Sequence, residues 1–176
     1  SKAGNRSESY TLTGSDISLM ISEINNAENC FDIGIVNQVA LLEYCELLIS
    51  PHSGFAFLAG CVNTPWLALS GARWPEYFYN RIKFYSVLPS CEKYPCYTGM
   101  KEACIAEMKN GNPVICMSTK ELDGKIPAIL DGIKQLMRDD FTYEDSIELY
   151  RRNVLKSGYP PENFWTFEGS FSIVKP

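Results

Sequence analysis

The chain has 176 residues, enough for one domain or one large domain with an appendage, and 45% of them are hydrophobic, so a real core can be buried. Sixteen basic and 21 acidic residues give a net charge of −5, which supplies no general attraction to nucleic acid or to an anionic membrane. No apolar run approaches the ~20 residues of a membrane helix.

The start, SKAGNRSESYTLTG, is polar and does not read as a signal peptide; without an initiator Met it reads as a processed or trimmed end. SDISLMISEINN then places Ile17, Met20, Ile21 and Ile24 on one stripe, which predicts an amphipathic helix over Ser15–Asn25 capped by Ser15 or Asp16. FDIGI reads as a short strand or strand-like link, and VNQVALLEYC as a second helix. ELLIS, Glu46–Ser50, is short, apolar and stopped by Pro51, which suits a buried parallel strand. GFAFLAGCV carries Phe55, Leu58, Ala59 and Val62 at helical spacing, with Ser53 as its N-cap. PWLAL, Pro65–Leu69, is the next strand and ends at Ser70-Gly71.

Helix and strand alternate with short links. That order predicts an α/β fold: a Rossmann-like parallel sheet, right-handed crossovers, and helices on both faces. From 72 to about 117 the texture becomes rich in aromatics, Pro and Cys, with IKFYSVL as a possible strand. KIPAILDGIKQLM puts Ile126, Ile129, Leu130, Ile133 and Met137 on one helical stripe. Thr142-x-x-Asp145 is a capping-box pattern opening a helix that ends at Gly158, and an aromatic tail follows. The division expected is 1–140 as a binding domain with the insert, then 141–176 as a helix and tail.

There are seven cysteines, an odd number that argues against a secreted disulfide scaffold and for a reducing cytoplasm. Cys30, Cys45 and Cys61 have apolar neighbours and read as small core residues. Cys91, Cys96, Cys104 and Cys116 lie within 26 residues at spacings x4, x7 and x11. Four thiolates can hold Zn or Fe, but the tight C-x2-C pairs of common zinc sites are absent. Buried thiols are the plainer reading. RWPEYFYNRIKFY interleaves Arg73, Arg81 and Lys83 with aromatics, a pattern that can stack bases. The acidic balance argues against nucleic acid and for core packing or stacking on a nucleotide.

In an open parallel sheet, ligands bind beyond the C-terminal ends of the strands. Ser50–Gly54 and Ser70–Arg73 fall at two such ends. Ser53-Gly54 also opens a predicted helix, where free N–H groups and the positive dipole end suit phosphate. Gly54 lets a ligand reach the backbone, Ser53 can donate its hydroxyl, and Arg73 can clamp phosphate. An ordinary cap would by itself explain Ser53-Gly54. His52, the sole histidine, is either a catalytic neighbour of that site or a hydrogen-bonded structural residue.

ALLEYCELLISPHSGFAFLAGCVNTPWLALSG resembles the donor-binding half of glycosyltransferase family nine, the ADP-heptose:lipopolysaccharide heptosyltransferase type with a GT-B fold. The likeness covers about Asp32 to Gly71 and extends weakly to Cys116-Met117. It implies a sugar-nucleotide donor whose diphosphate sits on Ser53 and Gly54. His52 and Arg73 would act in catalysis, and Ser50, Ser70, Gly71, Glu76 and Arg6 would help hold the nucleotide. No metal would be required. Where the family usually has an acidic residue this chain has His52. A GT-B enzyme also uses an N-terminal acceptor domain carrying the base, so the expectation is a fragment, a subunit or a stand-alone relative. The alternatives are a non-catalytic interaction module of the same fold, or a sugar-nucleotide epimerase-like enzyme.

Overall fold

The computed structural model describes residues 13–31, 33–71, 81–91, 94–95, 116, 119–159, 165–166 and 169–170. The chain divides into two compact units, Ser1–Leu41 and Leu42–Pro176.

In the first unit, α1 runs Gly14–Glu23. Its cap is Thr13, not Ser15 or Asp16. The Thr13 hydroxyl accepts the Asp16 N–H at 3.2 Å, and the Asp16 carboxylate accepts the Thr13 N–H at 2.8 Å. The two bonds satisfy end groups that the helix itself leaves unpaired. The Thr13 hydroxyl also donates to Asp16 Oδ2 at 2.6 Å, and this bond first, then the one from the Thr13 N–H, holds the Asp16 carboxyl below its usual range. The expected apolar stripe is present, yet no α1 residue is buried. FDIGI is not a strand. Gly34 takes φ 85°, and its carbonyl accepts the Gln38 N–H at 3.0 Å to open α2, Ile35–Glu43.

The second unit is an α/β structure around three parallel strands, β1 (Leu48–Pro51), β2 (Trp66–Leu69) and β3 (Phe84–Val87), in the order β1-β2-β3. Ser50, Ala68 and Ser86 stand side by side in the register. β2 is central, and Trp66, Leu67 and Ala68 are wholly removed from solvent. Successive strand residues point to opposite faces, so β2 feeds two cores. Trp66 and Ala68 pack with Leu42, Ala56, Ala59 and Ile82. Leu67 packs with Tyr85, Val87, Leu136 and Phe141.

β1 was expected to be buried. It lies instead at the edge of the described sheet, so its residues alternate and Ile49 is 47% exposed. Pro51, which has no N–H to offer a neighbour, sits at the end of that edge strand. The helix expected over GFAFLAGCV is a 3-10 turn, Ala56–Leu58, followed by one α turn, α3 (Ala59–Val62). Asn63 at φ 59° ends it in the left-handed region.

α4 (Thr119–Leu136) covers the Leu67 and Tyr85 face. Ile129, Ile133 and Leu136 turn to the sheet, with Gly132 between them. A methyl on Gly132 would stand 2.6 Å from Tyr85 Cδ1 and 3.0 Å from Leu67 Cδ1, so this glycine sets how closely helix and sheet approach. The stripe read from the sequence is therefore only half right, because Ile126, Leu130 and Met137 are about half exposed. α5 (Tyr143–Ser157) has the expected capping box of Thr142 with Asp145, and it ends at Gly158 with φ 69°. It packs on β3 through Tyr150 and Val154. Ser146 Oγ accepts the Phe84 N–H at 3.0 Å, so the helix satisfies an edge donor of β3. In the aromatic tail, β4 (Trp165–Thr166) and β5 (Gly169–Ser170) pair antiparallel.

The cysteines also differ from expectation. Cys45 and Cys61 are exposed and Cys30 is partly so; none of the three is a core residue. Cys45 follows the end of α2, and Cys61 lies on the outer side of the single turn α3. Among the described residues, no helix is long and apolar enough to cross a membrane.

Two outcomes follow. Gly132→Ala removes a helix glycine, a gain of about 1 kcal/mol, but forces a methyl into Tyr85 at about 1–3 kcal/mol or more. Urea denaturation should show a net loss of stability; a gain would contradict the close approach. Tyr85 donates to Asp131 Oδ2 at 3.2 Å. Burial first, then the Asp131 charge, pushes its phenol up to about 12. The unfolded phenol titrates near 10, so its contribution is complete below pH ~10 and is lost as pH rises towards 12. Tyr85→Phe should lose less stability than the wild type across that window, measured by denaturation at stepped pH.

Candidate functional site

The parallel register brings the C-terminal ends of β1, β2 and β3 level at Pro51, Leu69 and Val87. His52 and Ser70 therefore stand just past two neighbouring strand ends. The two turns are joined directly: His52 Nδ1 lies 3.0 Å from the Gly71 carbonyl oxygen. A carbonyl can only accept, so this geometry puts the imidazole proton on Nδ1. Ser70 N–H donates to the Val87 carbonyl at 3.1 Å, which ties the second turn to β3. Ser70 and Gly71 are buried, whereas Ser53 and Gly54 are exposed.

Ser50 accepts the Trp66 indole N–H at 3.0 Å. The same indole stands at 85° to the His52 ring with centroids 6.1 Å apart, and at 85° to Phe57 at 5.6 Å. Sequence reasoning took Trp66 only as a strand residue. The missed signal was chemical: a buried indole N–H needs an acceptor.

The Ser53-Gly54 turn is open. Among the described residues, a Cβ added to Gly54 would meet nothing within 4 Å. Ala56 N–H is shared by the Ser53 carbonyl and hydroxyl oxygens, both at 3.1 Å. The cap position of the Ala56–Leu58 turn is Phe55, without a side-chain bond, so Ser53 is not the N-cap that the sequence suggested; it closes the turn just before, and its O–H proton remains to be donated. Among the described residues, the N–H groups of Gly54 and Phe55 meet no protein acceptor. The shortness of the following turn corrects one part of the expectation. A single α turn has little aligned dipole, so any pull on an anion comes from these amides rather than from a helix macrodipole.

Arg6, Arg73 and Glu76 lie outside the described residues, as do Cys96 and Cys104. Cys91 and Cys116 are described and unbridged. Both act with Glu121 on Tyr159, whose phenol is pushed up to about 12, chiefly by burial and then by their charges. Among the described residues, no three His, Cys, Asp or Glu side chains come together as metal ligands. Comparison of the chain with protein-family models, curated proteins and solved structures gives no match.

Ser53→Ala deletes one of two acceptors for the Ala56 N–H. The carbonyl remains, so thermal denaturation should show a loss of only about 0.5 kcal/mol, the low end for a cap.

Proposed function

We propose that the chain is the sugar-nucleotide donor-binding part of a cytoplasmic glycosyltransferase, one Rossmann-like half of a GT-B architecture. The observation that carries this reading is the open turn at Ser53-Gly54. Among the described residues it is exposed, nothing lies within 4 Å of a Cβ at Gly54, and it offers two amides without a protein acceptor and a donatable hydroxyl. It lies beyond the carboxyl ends of parallel strands, where such folds bind ligands.

The diphosphate would rest on Gly54 and Phe55 N–H, with Ser53 and Ser50 donating and the Ser70-Gly71 turn forming the opposite lip. His52, held to Gly71, would stand beside it. Arg73, two residues past Gly71, would clamp the departing nucleoside diphosphate. Fixed donors aimed at growing negative charge lower the barrier without a metal. Glu76 and Arg6 would contact the nucleotide's sugar and phosphate. The acceptor hydroxyl and the base that deprotonates it would come from a second domain or a partner subunit. A non-catalytic interaction module is the second reading, favoured by the exposed Ile126 and Leu130 on α4 and Met137 just past its end.

Thermal denaturation with ADP, GDP, UDP and CDP tests the proposal. At a hundredfold excess over Kd, the cognate nucleotide adds about 2.7 kcal/mol, a rise of roughly 5–10 °C for a chain of this size. Gly54→Leu puts its Cβ in open space at an exposed turn, so it should melt normally alone yet lose the rise. Arg73→Ala should reduce it. No rise with any of the four, or one that survives Gly54→Leu, contradicts the reading and favours the interaction module.

A further inference from the structure

We infer that Trp66 is the positioning residue of the strand-end crevice, holding the Ser50 hydroxyl and the His52 ring so that the turns after β1 and β2 keep one spacing. The inference rests on reading this crevice as an anion site.

Trp66 is wholly buried on the central strand, yet its indole N–H can only donate. Ser50 Oγ accepts it at 3.0 Å. With that lone pair occupied, the Ser50 O–H proton is left to donate, the polarity an anion requires. Ser50 and His52 are two residues apart, and side chains so spaced along an extended chain leave on one face. One side chain from the neighbouring strand therefore meets both: Ser50 by the hydrogen bond, His52 by the perpendicular ring contact at 6.1 Å. His52 in turn bonds the Gly71 carbonyl 19 residues further on. The chain of contacts runs Ser50, Trp66, His52, Gly71, from one turn to the other. Trp66 acts through Ser50 and His52, not on the ligand.

The test uses the whole chain. His52 is the sole histidine, so long-range 1H–15N spectra report it without ambiguity. The wild type should show the Nδ1–H tautomer. Trp66→Phe, which keeps a ring but loses the N–H and the outer edge, should show an admixture of Nε2–H. An unchanged tautomer in a folded Trp66→Phe overturns the positioning role whether or not any ligand binds. With ADP and UDP as probes, Trp66→Phe and Ser50→Ala should each weaken binding about tenfold, the scale of one hydrogen bond to a charged group. The double variant should be no weaker than either single one, and Ser50→Thr should restore binding. Additive losses, or wild-type affinity in Trp66→Phe, overturn the inference. A wild type that binds neither probe, nor GDP or CDP, defeats the anion-site reading instead.

Discussion

Burial of β2 on both faces is the constraint from which the rest of the second unit follows. A strand with Trp66, Leu67 and Ala68 wholly out of water has no solvent to satisfy its N–H and C=O groups, so it needs a strand on each edge. β1 and β3 supply them. It also needs apolar cover on each face. The Ala56–Val62 turns give one and α4 gives the other. Each large side chain so buried contributes about 1.5–3 kcal/mol. Parallel pairing then brings the chain ends of β1 and β2 level, and the meeting of their two turns at His52 and Gly71 is a consequence of that alignment.

The same burial creates a chemical demand. Trp66 brings a donor into an apolar layer, and an unsatisfied one would cost about 1–3 kcal/mol. Ser50 meets it from β1. A hydroxyl that accepts in this way still has its proton to donate. Packing and polarity are therefore coupled at this point: the residue that completes the core also orients a hydroxyl on the strand leading into the crevice. His52 extends the coupling by bonding the next turn at Gly71.

Much of this was legible in the amino-acid order, and the failures have physical causes. The first two parallel strands and the α5 capping box followed from short apolar runs, Pro stops and the Thr142-x-x-Asp145 pattern, whereas the third strand was only a possibility within IKFYSVL. The same pattern at Thr13-x-x-Asp16 went unread, although it is the same chemistry. Apolar letters alone do not say whether a strand is central or at an edge, which is why Ile49 was placed inside. Phe55, Leu58, Ala59 and Val62 suit a long helix and two short turns equally, since both bury one side every third or fourth residue. In α4, apolar residues flank the contact stripe, and only Gly132, pressed on Tyr85, marks the line that touches the sheet. The places of Ser50, His52, Ser53, Gly54, Ser70 and Gly71 at or just past strand ends were legible in the sequence. The bonds joining them were not, because they depend on register.

The account's central claim is that the turn amides after β1 grip a diphosphate. Amide chemical-shift mapping during titration with a nucleoside diphosphate tests it most directly. The account predicts the largest shifts at Gly54 and Phe55, with smaller ones at Ser70 and Gly71. Shifts confined to other parts of the chain, with those four resonances unmoved, would contradict it.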